Sequence, residues 1–269
     1  MMFSIFEQAI VFSYLALGVL YTEKIGFLNV SIEGISYLSI FLTSFFIYLG
    51  YGIFISTIFT LFISFLFGFF LSFVVKKNYD IFIAGIGINI FCYFFVDYLM
   101  KSNFNFIPGF TLNLSGNFEI FVFIVIFVIF LFITVYIISY SRIRAVFEFI
   151  SSGNYEDILG EKISNLFKSF TIFVSIFTAS LAGSFIAVSL NAYSYNLGLN
   201  NGWLAISILY IAFSNPLLIF PISFLIVFFE YQFFRTQEYI NSYFSLSFQF
   251  YVAIIINILV SLIKKKDRS

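Results

Sequence analysis

Glu23, Lys24, Asn29 and Glu33 fall within one stretch, YTEKIGFLNVSIEG (residues 21–34), with apolar chain on both sides. Carboxylate, ammonium and amide groups in such surroundings are costly unless they sit at a water boundary or line a wet path. Two kinds of chemistry are open to them: anchoring a turn at an interface, or hydrogen bonding to a polar solute. Catalysis has little to work with. The chain has no histidine, so no Ser–His–Asp or Cys–His constellation can form. Its one cysteine, Cys92, lies in an apolar run, which rules out an internal disulfide and leaves zinc, haem or iron–sulfur centres without ligands. No G-x-x-x-x-G-K-[ST] occurs, so ATP is not bound through a P-loop. No cofactor, metal or nucleic acid is expected. Asp97 and Glu230 sit near the ends of apolar runs, where they can pair with Lys101 and Arg235, a structural role.

The elements that must position these groups are membrane helices. The 269 residues are 62% hydrophobic and only 10% charged, against about a quarter charged in soluble domains. Crossing the hydrocarbon core takes about 20 apolar residues in a helix. Candidate spans are roughly 3–21, 32–50, 53–75, 81–100, 118–140, 167–190, 203–213, 217–234 and 244–263. The expected fold is an all-α, polytopic bundle of about 8–9 membrane segments, with most of the phenylalanines facing lipid. The segment 203–213 is too short to cross alone and stops at Asn215-Pro216, because proline removes a donor and disfavours helix in the residue before it. It reads as a half-span or broken helix.

Orientation follows from lysine and arginine. With the C-terminal KKKDRS in the cytoplasm and nine crossings, 11 of the 13 basic residues fall inside, leaving Lys101 and Arg235 outside. The stretch 141–169 then becomes cytoplasmic. It carries Arg142, Arg144, Glu148, Glu156, Asp157, Glu161, Lys162 and Lys168, with Ile158, Leu159 and Ile163 spaced for a short amphipathic helix. It is either a solvated loop or a docking element for a cytoplasmic partner. Further on, Ala179, Gly183 and Ala187 recur every fourth residue beside Ser180 and Ser184, a spacing that lets helix backbones approach closely. Gly85 and Gly87 likewise read as helix packing.

Several segments carry a family resemblance. ALGVLYTEKIGFLNVSIEGISYLSIF (16–41), with Glu23, Gly26, Asn29, Glu33 and Gly34 in order, resembles the amino-terminal signature of bacterial ABC-importer permeases of the branched-chain amino acid, ribose and nucleoside type, closest to nucleoside and simple-sugar permeases. DIFIAGIGINIF (80–91), with Gly85 and Asn89, resembles a second segment of that family. NGWLAISILYIAFSNPLLIFPISFLIVFFE (201–230) resembles a third, and Arg144, Ala145, Gly153, Gly160 and FTASLAGSFIAVS (177–189) resemble the loop and helix that meet the ATPase. The resemblance implies a single membrane-spanning permease domain over 1–269, with a cytoplasmic coupling loop at about 141–166. It implies that the chain is a transport subunit without a catalytic site, in the cytoplasmic membrane, carrying a neutral polar solute. A nucleoside is favoured and a simple sugar comes next. Asn29, Ser31, Glu33 and Asn89 would line the solute path. Arg144, Gly153, Glu156, Ile158, Leu159, Gly160 and Ile163 would couple to the ATPase. The implied partners are a cytoplasmic ATPase, a second homologous permease, an extracytoplasmic solute-binding protein and membrane lipid. The alternatives are a proton- or sodium-coupled carrier, which should hold a mid-span carboxylate, and a membrane enzyme, which should show a nucleophile–base or metal constellation.

Overall fold

The computed structural model describes residues 2–104, 109–112, 118–152, 160–194 and 197–235. The ninth expected span, 244–263, and the basic C-terminal cluster lie outside the described residues. The described part is an all-α bundle and a polytopic membrane protein. Its helices are α1 (Met2–Lys24), α2 (Ile32–Tyr48), α3 (Ile53–Lys76), α4 (Ile81–Phe104) and α5 (Phe118–Val135), the last continued by a π-helical turn, Tyr136–Tyr140. Then follow α6 (Arg142–Ser151), α7 (Glu161–Leu190), α8 (Asn201–Ile211) and α9 (Pro216–Arg235). Five helical segments are long and apolar enough to cross a membrane: Ile5–Lys24, Ile53–Lys76, Ile81–Ser102, Phe118–Tyr140 and Glu161–Leu190.

Local signals set the ends. Gly26, at φ 101°, closes α1 with its own N–H on the Glu23 carbonyl and the Phe27 N–H on the Thr22 carbonyl, so the helix stops despite apolar residues beyond it. Asp80 opens α4 by accepting the Phe82 N–H at 2.8 Å and the Ile83 N–H at 3.3 Å. α8 ends with the Ser214 N–H on the Leu209 carbonyl and the Phe213 N–H on the Tyr210 carbonyl. Asn215 Oδ1 then accepts the Leu217 N–H at 3.0 Å, so Asn215-Pro216 both closes one helix and opens the next.

Side-chain registers give the directions. Ser39 meets Ser180, and Thr43 meets Ser184, so α2 and α7 run parallel. Thr60 meets Thr43, and Ser64 meets Ser39, so α3 runs against α2. α1 runs against α7, with Glu7 at Ser189 and Asn29, just past its end, at Ser175. Hydroxyls joined across three helices hold this interior together, each satisfied by a neighbour or its own helix carbonyl. Ala179, Gly183 and Ala187 are fully buried within it, and a Cβ on Gly183 would collide with the Ser36 carbonyl oxygen. Gly85 packs against Val30 and Ser31, while Gly87 has nothing within 4 Å. Large apolar side chains point outward instead along α3, α4 and α5, among them Phe62, Phe69, Phe94 and Phe132. An outside this apolar beside a polar-seamed inside suits lipid.

With these directions, Lys24, Lys76, Lys77, Arg142, Arg144, Lys162 and Lys168 gather at one end of the bundle, here called the basic end, and Lys101 at the other, bonded to Asp97 at 2.6 Å. α6 lies at the basic end. Phe147 and Ile150 bury against Tyr21 and Ile25, with Arg144 and Glu148 paired on its outer side. An amphipathic helix therefore spans 142–151; Ile158 and Leu159, two of the three residues on which the expected one rests, lie outside the described residues. At the opposite end a two-stranded ribbon pairs β1 (Gly109–Thr111) antiparallel with β2 (Ala192–Ser194).

Candidate functional site

The groups singled out between residues 21 and 34 divide into two sets. Glu23 and Lys24 close α1 at the basic end, where Glu23 accepts a hydrogen bond from Ser214 at 3.0 Å, so they anchor the turn. The chain then turns back inward. Asn29 Oδ1 accepts from the Ser31 N–H at 3.1 Å and from the Ser31 hydroxyl at 2.7 Å, an Asx turn that feeds α2. Asn29 Nδ2 donates to Ser175 Oγ at 3.0 Å, midway along the 30 residues of α7. α2 thus begins inside the bundle and not at its surface.

Asn89 locks that start from the neighbouring helix. Its Oδ1 accepts the Gly34 N–H at 2.7 Å and its Nδ2 donates to the Val30 carbonyl at 3.0 Å. Residue 34 must be glycine for this, since a Cβ there would lie 2.6 Å from the Asn89 Cα.

Glu33 is 1% exposed. It stands in the first turn of α2, yet its carboxylate serves a different helix. It accepts from the Tyr93 hydroxyl at 2.8 Å, the Asn200 N–H, and the Gly202 N–H at 2.5 Å. Asn200 and Gly202 begin α8, so a carboxylate from α2 sits on the exposed N–H groups and positive dipole end of α8. α8 has 11 residues, about 16 Å at 1.5 Å per residue, roughly half the thickness of a hydrocarbon core. Its far end reaches Glu23 through Ser214 at the basic end, so its near end lies at mid-bundle. Gly202 allows the contact, because a Cβ there would fall 2.7 Å from Glu33 Oε2. Tyr93 is steadied by an edge-on ring contact with Tyr37 at 5.2 Å.

Asn29, Ser31, Glu33 and Asn89 are thus brought together around the inward start of α2. Every polar side-chain atom of the four has a partner inside the chain. The residues expected to meet an ATPase lie apart from them. Arg144 is on α6, Gly160 precedes α7 at φ 75°, and Ile163 is half exposed on the first turn of α7. Gly153, Glu156, Ile158 and Leu159 lie outside the described residues. Tyr93 and the N–H groups of Asn200 and Gly202 carried no sequence signal as site residues, and neither did a second buried carboxylate, Glu7, which lies apart from them at Ser189. Among the described residues no three His, Cys, Asp or Glu side chains gather as a metal site. No protein-family model, curated protein or solved structure matches the chain.

Proposed function

We propose that this chain is the transmembrane permease subunit of an ABC importer in the cytoplasmic membrane, carrying a neutral polar solute, with a nucleoside favoured over a simple sugar. The observation that carries the reading is α8, a half-length helix that begins at mid-bundle with its N-terminus held by the buried carboxylate of Glu33. Discontinuous helices of this kind interrupt backbone hydrogen bonding at membrane depth, where a hydrophilic solute needs partners. In the conformation described, the carboxylate and the N–H groups satisfy each other. Withdrawal of α8 from Glu33 would free both for a solute, and Asn29, Ser31 and Asn89 beside them would line the opened path. The basic end is the cytoplasmic end in this reading, by the lysine and arginine bias, and α6 lies there, packed on α1 through Tyr21 and Ile25. An ATPase docked on α6 would act on the α1–α2 turn directly, which is the mechanical link alternating access needs. A second permease and an extracytoplasmic solute-binding protein complete the assembly by family resemblance, and ATP hydrolysis belongs to the partner.

One observation favours a second reading. A carboxylate at mid-bundle with a tyrosine partner is what a proton- or sodium-coupled carrier needs, and Glu33 with Tyr93 has that arrangement. Uptake by cells carrying wild type, Glu33→Gln or Asn29→Ala at matched abundance, with nucleosides and sugars supplied separately, tests the proposed path. Both variants should lose most uptake while retaining the ATPase. Wild-type rates in both would remove Glu33 and Asn29 from the path.

A further inference from the structure

Gly87 stands on the second turn of α4, with nothing within 4 Å of where a Cβ would lie. A glycine there weakens the helix, and no close approach among the described residues accounts for it. Beside it runs a crevice of about 450 Å³ between α3 and α4. Leu66 and Phe70 form one wall and Ala84 and Gly87 the other, and the Phe67–Phe91 ring pair, 6.0 Å between centroids, crosses its inner end. The crevice exists because the two helices hold to different partners. Gly68 seats α3 on Phe173 of α7, whereas Gly85 seats α4 on Val30 and Ser31. Both walls lie within the spans Ile53–Lys76 and Ile81–Ser102, so lipid and not water stands outside them. Toward the basic end, Lys77 continues the face of α3 that carries Leu66 and Phe70, and both Lys77 and Lys76 are exposed. From Leu66 to Lys77 the chain rises about 16 Å at 1.5 Å per residue, close to half of a hydrocarbon core about 30 Å thick. The crevice is therefore one leaflet deep, with two ammonium groups at its water boundary. Asp80 stands at the same boundary, its Oδ1 taken by the Phe82 and Ile83 N–H groups.

We propose that this crevice seats one anionic phospholipid of the leaflet at the basic end, with an acyl chain over Gly87 and the phosphate at Lys77 and Lys76. The walls favour a lipid chain over another helix. Leu66, Phe70 and Phe91 are exposed and stand as a rim, which a helix would meet before it reached Gly87. In a two-fold contact between copies of this chain, Lys76 and Lys77 of one would also face those of the other. Two lysines against one aspartate, itself engaged as a helix cap, select an anionic headgroup over a zwitterionic one. The inference rests on α3 and α4 spanning the membrane and on no step of transport.

Native mass spectrometry of the full-length chain in detergent, titrated with dioleoyl phosphatidylglycerol, phosphatidylethanolamine or phosphatidylcholine, reads the site directly. One phosphatidylglycerol per chain should bind more tightly than either zwitterion by about fivefold or more, the worth of one lysine beside an anionic headgroup. Gly87→Leu fills the crevice where a Cβ meets nothing, so it should abolish the tight lipid while the thermal midpoint in detergent holds. Replacing both lysines, Lys76→Gln with Lys77→Gln, should bring phosphatidylglycerol down to the level of phosphatidylcholine. Equal binding of the three lipids by wild type overturns the proposal, and so does a tight phosphatidylglycerol that survives either variant. Preference for phosphatidylethanolamine would overturn the anionic headgroup. Chain dimers that Gly87→Leu dissociates, with no tight lipid, would give the crevice to a second copy. Glycerol phosphate competing as well as the whole lipid would leave a headgroup patch and overturn the acyl seat.

Discussion

Removing the Glu33 carboxylate should release α8 from the middle of the bundle, by an amount the local geometry sets. Glu33→Ala leaves the Tyr93 hydroxyl and the Gly202 N–H without their acceptor, and Gly202 is buried. The Asn200 N–H loses the same partner, but Asn200 is exposed and is left out of the sum. Two stranded donors at about 1–3 kcal/mol each give a cost of about 2–6 kcal/mol. Glu33→Gln can keep its oxygen on the Gly202 N–H and donate its amide to Tyr93 if that hydroxyl rotates, but the same amide then faces the Asn200 N–H, which had shared an oxygen with Tyr93. It loses the charge-assisted part of the bonds, about 1–2 kcal/mol. Amide hydrogen exchange over residues 199–206 reads this directly, since local opening sets the exchange rate and each 1.4 kcal/mol is tenfold. Exchange should accelerate by about 30-fold or more in Glu33→Ala and by about 5- to 30-fold in Glu33→Gln, with α7 unchanged in both. Equal protection of residues 199–206 in wild type and Glu33→Ala would refute the assignment of Glu33 as the anchor of α8.

Gly183→Leu should destabilise the bundle, because even a Cβ at that position meets the Ser36 backbone; overpacking of about 1–3 kcal/mol or more should appear as a lower midpoint in thermal unfolding in detergent, and an unchanged midpoint would contradict the α2–α7 contact. Phe147→Ala removes a buried ring that touches Tyr21, at about 3–5 kcal/mol for a core site; amides of 142–151 should lose protection and the ATPase should fail to co-purify, while insertion into the membrane is normal. In a Cys92→Ser background, cysteines at Ser152 and Tyr51 should react with impermeant reagents from opposite sides of the membrane, and labelling from the same side would break the proposed orientation.

The bundle was legible because it rests on composition and local signals. Apolar runs longer than about 20 residues, the glycine after α1 and the Asn215-Pro216 stop each act within a few neighbouring residues. The small residues of α7 also declared their packing role through period alone. The half-helix was readable as short, but not as anchored. Its anchor lies 167 residues earlier in the chain, on Glu33, and nothing in the periodicity of either segment encodes that pairing. Glu33 was expected to line the solute path, and nothing near it in the sequence shows that its carboxylate meets the backbone of α8 at Gly202. Glu7 escaped notice for a similar reason: a lone carboxylate near the start of an apolar run gives no sign of its partner until Ser189, 182 residues later, is folded against it. The ribbon between 109–111 and 192–194 is likewise a non-local pairing, between segments about 80 residues apart.

The measurement that bears most directly on the proposed function is the driving force for uptake. The chain and the ATPase proposed as its partner, reconstituted together into vesicles, can be supplied with uridine under ATP alone or under an imposed proton or sodium gradient alone. Accumulation is expected with ATP and not with either gradient, and the ATP-driven signal should be lost in Glu33→Ala. Accumulation that needs no ATP and collapses with the gradient would contradict the proposed function, and would assign Glu33 and Tyr93 to an ion-coupled carrier.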